Sequence, residues 1–281
     1  MQIYLALDDA LGHLVIVTHS LAMKVEVYGM YINVSVVIIT RNAAATLART
    51  LEATQQYADV VIYDNGSTDE TCDIARSYPN ATLYKGTFKG FGPTKRHAVS
   101  LAKYDWILSL DADEAPSDEL NTAIQRWVTN ASPHEAMEIL RENWMLGQPV
   151  RHSGWGNDWL VRLFNRSVCN FNEAMVHESV LLPKNVHVNR LDGKIKHLAV
   201  TDLAQFLDKI NRYSDLRASS GRLTSYSFPV IFLKSIFAFF RTYFLRLGVL
   251  DGWRGLTIAV ANANGVFWKY AKTRTEQYRK H

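Results

Sequence analysis

Three short runs constrain this chain more than anything else in it: "NVSVVIIT" (33–40), "DVVIYD" (59–64) and "YDWILSL" (104–110). Each is a nearly unbroken apolar stretch rich in β-branched or aromatic residues, the pattern of a strand covered on both faces. Between them lie segments of helical period. "AAATLARTLEATQQY" sets Ala44, Leu47, Ala48 and Leu51 at helical spacing, and "PTKRHAVSLAK" (93–103) makes another helix. "ATLYK" (81–85) adds a weaker strand. "NGSTDETCDIARSY" opens a helix in which Ser67 and Glu70 have the spacing of a capping box. The alternation of strand and helix predicts an α/β domain built around a largely parallel sheet.

Such sheets bind ligands beyond the carboxyl ends of their strands. Those ends carry Thr40-Arg41-Asn42, Asp64-Asn65-Gly66 and Asp111-Ala112-Asp113, so three polar clusters converge on one edge. "WILSLDADE" (106–114) is the sharpest case: Asp111, Asp113 and Glu114 crowd the end of a buried strand. Like charges that close need something positive beside them. Paired hard oxygen ligands suit Mg²⁺ or Mn²⁺ shared with substrate phosphates, which makes Asp111 and Asp113 metal candidates. Asp64 ends the apolar run "VVIY" and can accept hydrogen bonds from a base edge or ribose hydroxyls.

After a helix in "PSDELNTAIQRWV", starting at Pro116 or Ser117, "AMEILRENWMLG", "DWLVRLFNR" and "MVHESVLL" read as strands. From residue 201 the pattern turns helical and the charge changes sign. Residues 201–281 hold 13 Lys and Arg against 5 Asp and Glu, a net of +8, while the first 200 hold 18 against 22, a net of −4. The division expected is an appendage (1–29) outside the fold, a catalytic domain (30–200) and a basic, aromatic helical region (201–281). No secretion signal is evident in the first 29 residues, and Met30 stands just before the first strong strand as an alternative start. The two cysteines, Cys72 and Cys169, make no disulfide framework or metal spacing, so a cytoplasmic location is expected.

Taken in order and spacing, "VSVVIITRN", "VVIYDNGSTDET" and "DWILSLDADE" resemble the family 2 glycosyltransferases of the GT-A fold, over roughly residues 33–180. The resemblance implies a Rossmann-like mixed sheet flanked by helices, a nucleotide-sugar donor, a divalent ion and inversion at the anomeric carbon. It places Thr40, Asn42, Asp64 and Asn65 at the nucleobase and ribose, Asp111 near ribose and metal, and Asp113 as principal metal ligand. In "GFGPTKRHA" (90–98), Arg96 matches a basic position of the family, while His97 stands where the family often has Asn. Lys89, Lys95 and Arg96 are then diphosphate or base contacts.

Inversion requires a general base for the acceptor hydroxyl. The Glu-Asp pair common in the family is absent, and "VHE" in "FNEAMVHES" (171–179) resembles the corresponding motif of bacterial lipopolysaccharide-core glucosyltransferases. Glu178 is the expected base, with Glu173 its rival and His177 a metal-side or diphosphate contact. In "GWGNDWLVRLFNR" (154–166), Trp155 and Trp159 can stack on a sugar and Arg162 can bind an acceptor phosphate or carboxylate.

Residues 228–250 have the length of a membrane span, but Lys234, Arg241 and Arg246 fall inside them. Interspersed with Phe232, Phe239, Phe240, Tyr243 and Phe244, these cations suit an amphipathic helix in the interface of an inner membrane. The function expected is transfer of a hexose, glucose first, from a UDP-sugar to a glycolipid such as lipopolysaccharide inner core, at the cytoplasmic face of that membrane. Nucleic acid is not an expected partner. Two alternatives stand beside it: a nucleotidyltransferase acting on a sugar phosphate, which would want a Gly-rich phosphate loop that "TRNAAAT" lacks, and a non-catalytic nucleotide- or nucleic-acid-binding protein.

Overall fold

The computed structural model describes residues 4–8, 13–17, 31–219 and 224–278. Strands β1 (Tyr4–Asp8) and β2 (His13–Val17) pair antiparallel with each other and, among the described residues, with no other strand. Met30 lies outside the described residues.

The α/β half follows the alternation in the sequence. It runs β3 (Ile32–Thr40), α1 (Ala44–Glu52), β4 (Tyr57–Asp64), α2 (Thr71–Arg76), β5 (Ala81–Lys85), α3 (Phe91–Ser100) and β6 (Trp106–Asp111). The four strands are parallel in the order β5-β4-β3-β6, and the register sets Thr40 opposite Asp64 and Ile39 opposite Asp111. The three polar strand ends therefore share one sheet edge. Alternate residues of each run point to opposite faces, which is why the runs are continuously apolar. Val36 and Ile38 pack with Leu47 and Leu51 on one side, while Val37 and Val61 pack with Ala98 and Val99 on the other.

The rest of the sheet is mixed. β7 (Glu114–Pro116), α4 (Asp118–Val128), β8 (Glu135–Met145), β9 (Gln148–Pro149), β10 (Trp159–Asn165), β11 (Asn170–Phe171), β12 (Val180–Leu181) and β13 (His187–Val200) follow in turn. They extend the main sheet beyond β6 in the order β10-β8-β13-β7, with β9 on β8 and with β11 and β12 as a separate pair. α4 begins as expected at Ser117, whose hydroxyl accepts from Leu120 N at 3.2 Å. "MVHESVLL" is not one strand: only Val180 and Leu181 pair, and His177 turns the chain at φ +63°. β13 went unseen in the sequence because "HVNRLDGKIKHLAV" lacks a clean apolar alternation and is bulged between Arg190 and Lys194. At that bulge Gly193 has φ +90°, and a Cβ there would lie 2.4 Å from Leu120 N.

The chain ends in α5 (Leu203–Ser219), α6 (Phe228–Phe240) and α7 (Gly252–Tyr278). A π-helical turn (Arg241–Leu245) and a 3-10 turn (Gly248–Asp251) join α6 to α7. Residues 228–250 are thus not one helix: Leu247, at φ +54°, breaks it, and the chain turns into a hairpin.

Candidate active site

The turn after β6 is built around Glu114. Its side chain is fully buried, with Oε2 accepting from Asp111 N at 3.0 Å and Oε1 accepting from Arg162 at 2.6 Å and Arg141 at 3.2 Å. Thr50 Oγ1 donates to Ala112 O and Leu198 N donates to Asp113 O, so the turn is held from α1 on one side and β13 on the other. The third carboxylate of "DADE" is the support that aims the other two.

Asp111 is held between two cations. Oδ1 accepts from Lys95 Nζ at 2.9 Å and Oδ2 from Arg162 Nη2 at 3.0 Å. Burial works to raise its pKa, but the Lys95 and Arg162 charges outweigh that and hold it well below the usual carboxylate range. Burial likewise works to lower the Arg162 pKa, and Glu114 and Asp111 reverse the shift upward. The compensation demanded by the crowded carboxylates comes in the first place from the protein's own cations. Arg162 reaches its place because β10 is bulged between Val161 and Leu163, leaving Arg162 as the extra residue. A bulge re-aims a side chain, here into a position 6% exposed. Its Nη2 is held by Asp111 and Glu114, while the side chain lines the cleft described below.

Lys95 is 2% exposed although it is a lysine. "GFGPTK" explains how it gets there. Gly90 caps α3 at φ +102°, and a Cβ on Gly92 would lie 2.1 Å from Asn172 O, so the start of α3 lies against the 172–175 segment. Phe91 N and Gly92 N donate to Met175 O and Ala174 O, which fastens the loop carrying Glu178 to the same helix. Lys95 Nζ then lies 2.7 Å from Glu178 Oε1, bridging Glu178 to Asp111. His177 Nε2 accepts from Arg217 Nη2 of α5 at 3.0 Å, and the Arg96 guanidinium pairs with Glu173.

Asp113 faces a residue that the sequence did not announce. The β7–β13 register sets His197 opposite Glu114, and His197 Nε2 lies 3.4 Å from Asp113 Oδ2. His197 Nδ1 is 2.6 Å from Asn143 Oδ1, whose own Nδ2 donates to Trp155 O and Asp158 Oδ2. An amide oxygen only accepts, so His197 donates from Nδ1, and its Nε2 faces the Asp113 carboxylate. An imidazole nitrogen and a carboxylate oxygen set side by side are two groups that a divalent cation can take as ligands. Among the described residues no three His, Cys, Asp or Glu side chains form a closed metal cage. A pair of hard and imidazole ligands completed by substrate phosphates fits Mg²⁺ or Mn²⁺.

Asp111, Asp113, His177, Glu178, His197 and Trp159 line one cleft of about 840 Å³, within the range of ligand sites, with α5 adding Lys209 and Tyr213 to its wall. The other candidates are placed elsewhere. Asp64 accepts from Gly66 N and Ser67 N at 3.0 Å and from the Ser67 hydroxyl. Burial works to raise the Asp64 pKa, and these donors together bring it below the ordinary value. They also overturn the expected capping box: Ser67 is taken by Asp64, and Asp69 instead accepts from Thr71 N of α2 and Ala44 N of α1. Asn42 closes the adjacent turn, with Oδ1 accepting from Thr68 N at 2.8 Å. Thr40 Oγ1 and Asn65 Oδ1 are buried without a hydrogen bond among the described residues. Lys89 and Arg96 line a separate cavity with Tyr63, His97 and Glu173. Trp155 lines a third with Phe206, whereas Trp159 stays in the main cleft with its ring covered by the Arg190 guanidinium 4.3 Å from its centroid.

Residues 35–181 match the family described as glycosyl transferase family 2. An uncharacterized glycosyltransferase of Rickettsia prowazekii is 28% identical over 256 residues, covering 86% of each chain. A lipopolysaccharide core biosynthesis glycosyltransferase of Rhizobium meliloti is 26% identical over 259 residues, covering 88% of this chain and 92% of its own. Among solved structures, S. aureus TarS 1-349 in complex with UDP aligns over 88% of this chain and 91% of its own, at 14% identity and a TM-score of 0.44.

Proposed function

Because the chain belongs to glycosyl transferase family 2 and is a glycosyltransferase of the GT-A fold, we propose that it moves a hexose, glucose first, from a UDP-sugar to a glycolipid acceptor with inversion. The observation that carries this reading is Lys95, buried beneath the cleft and bridging Asp111 and Glu178, which line it together with Asp113 and His197. In it, Asp113, with Asp111 and His197 beside it, holds Mn²⁺ or Mg²⁺. When bound, such an ion offsets the charge that builds on the leaving diphosphate. Lys95 brings a second positive charge to the same place, fixed in advance and shielded from water.

Glu178 takes the acceptor hydroxyl's proton as that oxygen attacks the anomeric carbon, opposite the departing UDP. Its ion pair with Lys95 holds Oε1 in one orientation, leaving Oε2 for the hydroxyl. Glu173, 69% exposed and paired with Arg96 outside this cleft, is the weaker choice. The unpaired Thr40 Oγ1 and Asn65 Oδ1 support a nucleoside at the ends of β3 and β4, in a turn shaped by Asp64 and Asn42. The Rhizobium meliloti relative, named for lipopolysaccharide core biosynthesis, supports a glycolipid of that class; in this reading the acceptor is met at the cytoplasmic face of an inner membrane.

The test is calorimetric titration of UDP and UDP-glucose into wild type and Asp113→Ala, with and without Mn²⁺. Metal-dependent UDP binding that weakens at least tenfold in Asp113→Ala is expected. UDP binding that ignores both metal and mutation would remove the metal reading, and no UDP binding at all would remove the donor. Glu178→Gln should keep UDP binding and lose roughly 10²- to 10⁴-fold in kcat for transfer. Unchanged transfer would return the base to Glu173.

A further inference from the structure

The α6–α7 hairpin reverses the usual partition of side chains. Phe232, Leu233, Phe237, Phe240, Leu245, Leu250 and Trp253 are each more than half exposed, and further apolar side chains continue the surface between them. A soluble monomer rarely exposes a contiguous patch beyond a few hundred Å². The window Phe228–Leu245 is long and apolar enough to cross a membrane, yet only 11% of it is buried within the protein. The opposite side of the hairpin is firmly internal: Ile231 and Ile258 are fully buried, and Ser235 Oγ donates to Ala263 O at 2.8 Å.

We propose that this face is an anionic-membrane docking surface, with the hairpin lying in the headgroup and upper acyl region and not spanning the bilayer. Three observations separate that occupant from the others. First, residues 228–275 contain seven Lys and Arg against one Asp. The one Asp, Asp251, is turned away from the surface: it accepts from Arg151 N, His152 N and Ser153 Oγ of the catalytic domain. The charge left on this region is therefore positive, which suits acidic lipid headgroups. Second, Arg241 and Arg246 are both exposed, Arg246 at the edge of the face with its guanidinium beside Gly154. A second copy of this chain seated on the face would bring like charges together, whereas lipid phosphates receive them while the stems lie along apolar surface.

Third, spanning is blocked by the packing. α6 is held along α7, with Lys234 Nζ over the Tyr226 and Tyr270 rings and Asn262 Nδ2 donating to Thr242 Oγ1. α7 is in turn fixed to β8, where Arg254 donates to Met145 O and Leu146 O. A perpendicular helix would have to abandon these contacts and draw Lys234 and Arg241 into hydrocarbon. The inference deepens the acceptor half of the proposed function, yet vesicle binding needs neither donor nor acceptor, so the two fail separately.

The test uses the full chain in co-sedimentation with phosphatidylglycerol-containing vesicles and with phosphatidylcholine vesicles, alongside analytical ultracentrifugation without lipid. Wild type should partition onto the anionic vesicles and bind the zwitterionic ones more weakly. Phe237→Asp and Leu245→Asp should each lower vesicle affinity about tenfold or more, since each removes a large apolar side chain from the inserted face. Arg241→Gln with Arg246→Gln should lower only the anionic-vesicle affinity, about tenfold or more together. Unaltered thermal melting of these variants shows that the fold is kept. Wild type that stays in the supernatant with every vesicle overturns the proposal. So does vesicle binding unchanged by Phe237→Asp and Leu245→Asp, or a dimer in solution that those substitutions dissolve.

Discussion

At the floor of the cleft, Glu114, Arg162 and Lys95 are almost wholly buried, each paired at 3.0 Å or less with a partner of opposite charge. On the C-terminal hairpin, Phe237, Leu245 and Leu250 stand more than 60% exposed. One region buries what proteins usually leave in water, and the other exposes what they usually bury. The two are departures of the same kind with different means of support. At the floor of the cleft Glu114, Arg162, Asp111 and Lys95 compensate one another from within the fold, through the bulge that turns Arg162 inward. On the hairpin no side chain of the described residues covers the apolar face, so its compensation has to come from outside. An internal departure is tied to folding stability; an external one is not.

That difference gives the comparison its sharpest test. Arg162→Met leaves Glu114 and Asp111 without their shared cation, and removing one partner of a buried pair costs about 3–5 kcal/mol. A fall in Tm of roughly 10 °C is expected by calorimetry; a Tm within a degree of wild type would show that the cleft charges are not coupled to the fold. Acid gives a smaller and graded effect. The folded pKa of Asp111 is depressed, so its contribution is complete above the unfolded value of about 4 and disappears as pH falls through the folded value. Urea midpoints measured from pH 6 down to pH 2.5 should therefore decline below about pH 4, and Asp111→Asn should flatten that decline. An equal slope in both proteins would assign the acid sensitivity to other carboxylates. Smallest of all, Phe237→Ser and Leu250→Ser should shift stability by no more than about 0.5 kcal/mol in the absence of lipid. A loss of 2 kcal/mol or more in either would mean that the exposed face is part of the folded core.

The same contrast governs how much could be read from the sequence. The parallel half was legible because strands buried on both faces must be apolar throughout, and the polar residues that stop them mark the site edge. Asp111 and Asp113 were picked out in that way, and both line the cleft. Lys95 was placed on a helix, but its inward direction was not drawn, although Lys95, Ala98, Val99 and Ala102 share the buried face at helical spacing. A lysine within an apolar stripe was the available signal. Glu114 was read only as one of three crowded carboxylates, because its folding back onto Asp111 N depends on Arg141 and Arg162, 27 and 48 residues away. His197 left no local trace at all. It comes to Asp113 through the pairing of a three-residue strand with a bulged one, and nothing near it in the chain specifies that meeting. Asp64 shows the converse: a correctly chosen strand end whose carboxylate is largely spent on its own turn.

The Asp251 clamp has a consequence for what such an enzyme can select. Asp251 ties the hairpin to residues 151–153 while Ser153 N donates back to Arg246 O, so hydrogen bonds fasten the base of the apolar face to the loop after β9. A protein seated on a surface by that face would carry its reacting atoms at one constant height above it. Hydroxyl groups of a tethered glycan would then be sorted by their distance from the plane as well as by their shape. The loop at 151–153 would act as the fixed leg of a gauge, and lengthening it would change which hydroxyl is reached without altering a single residue in the cleft.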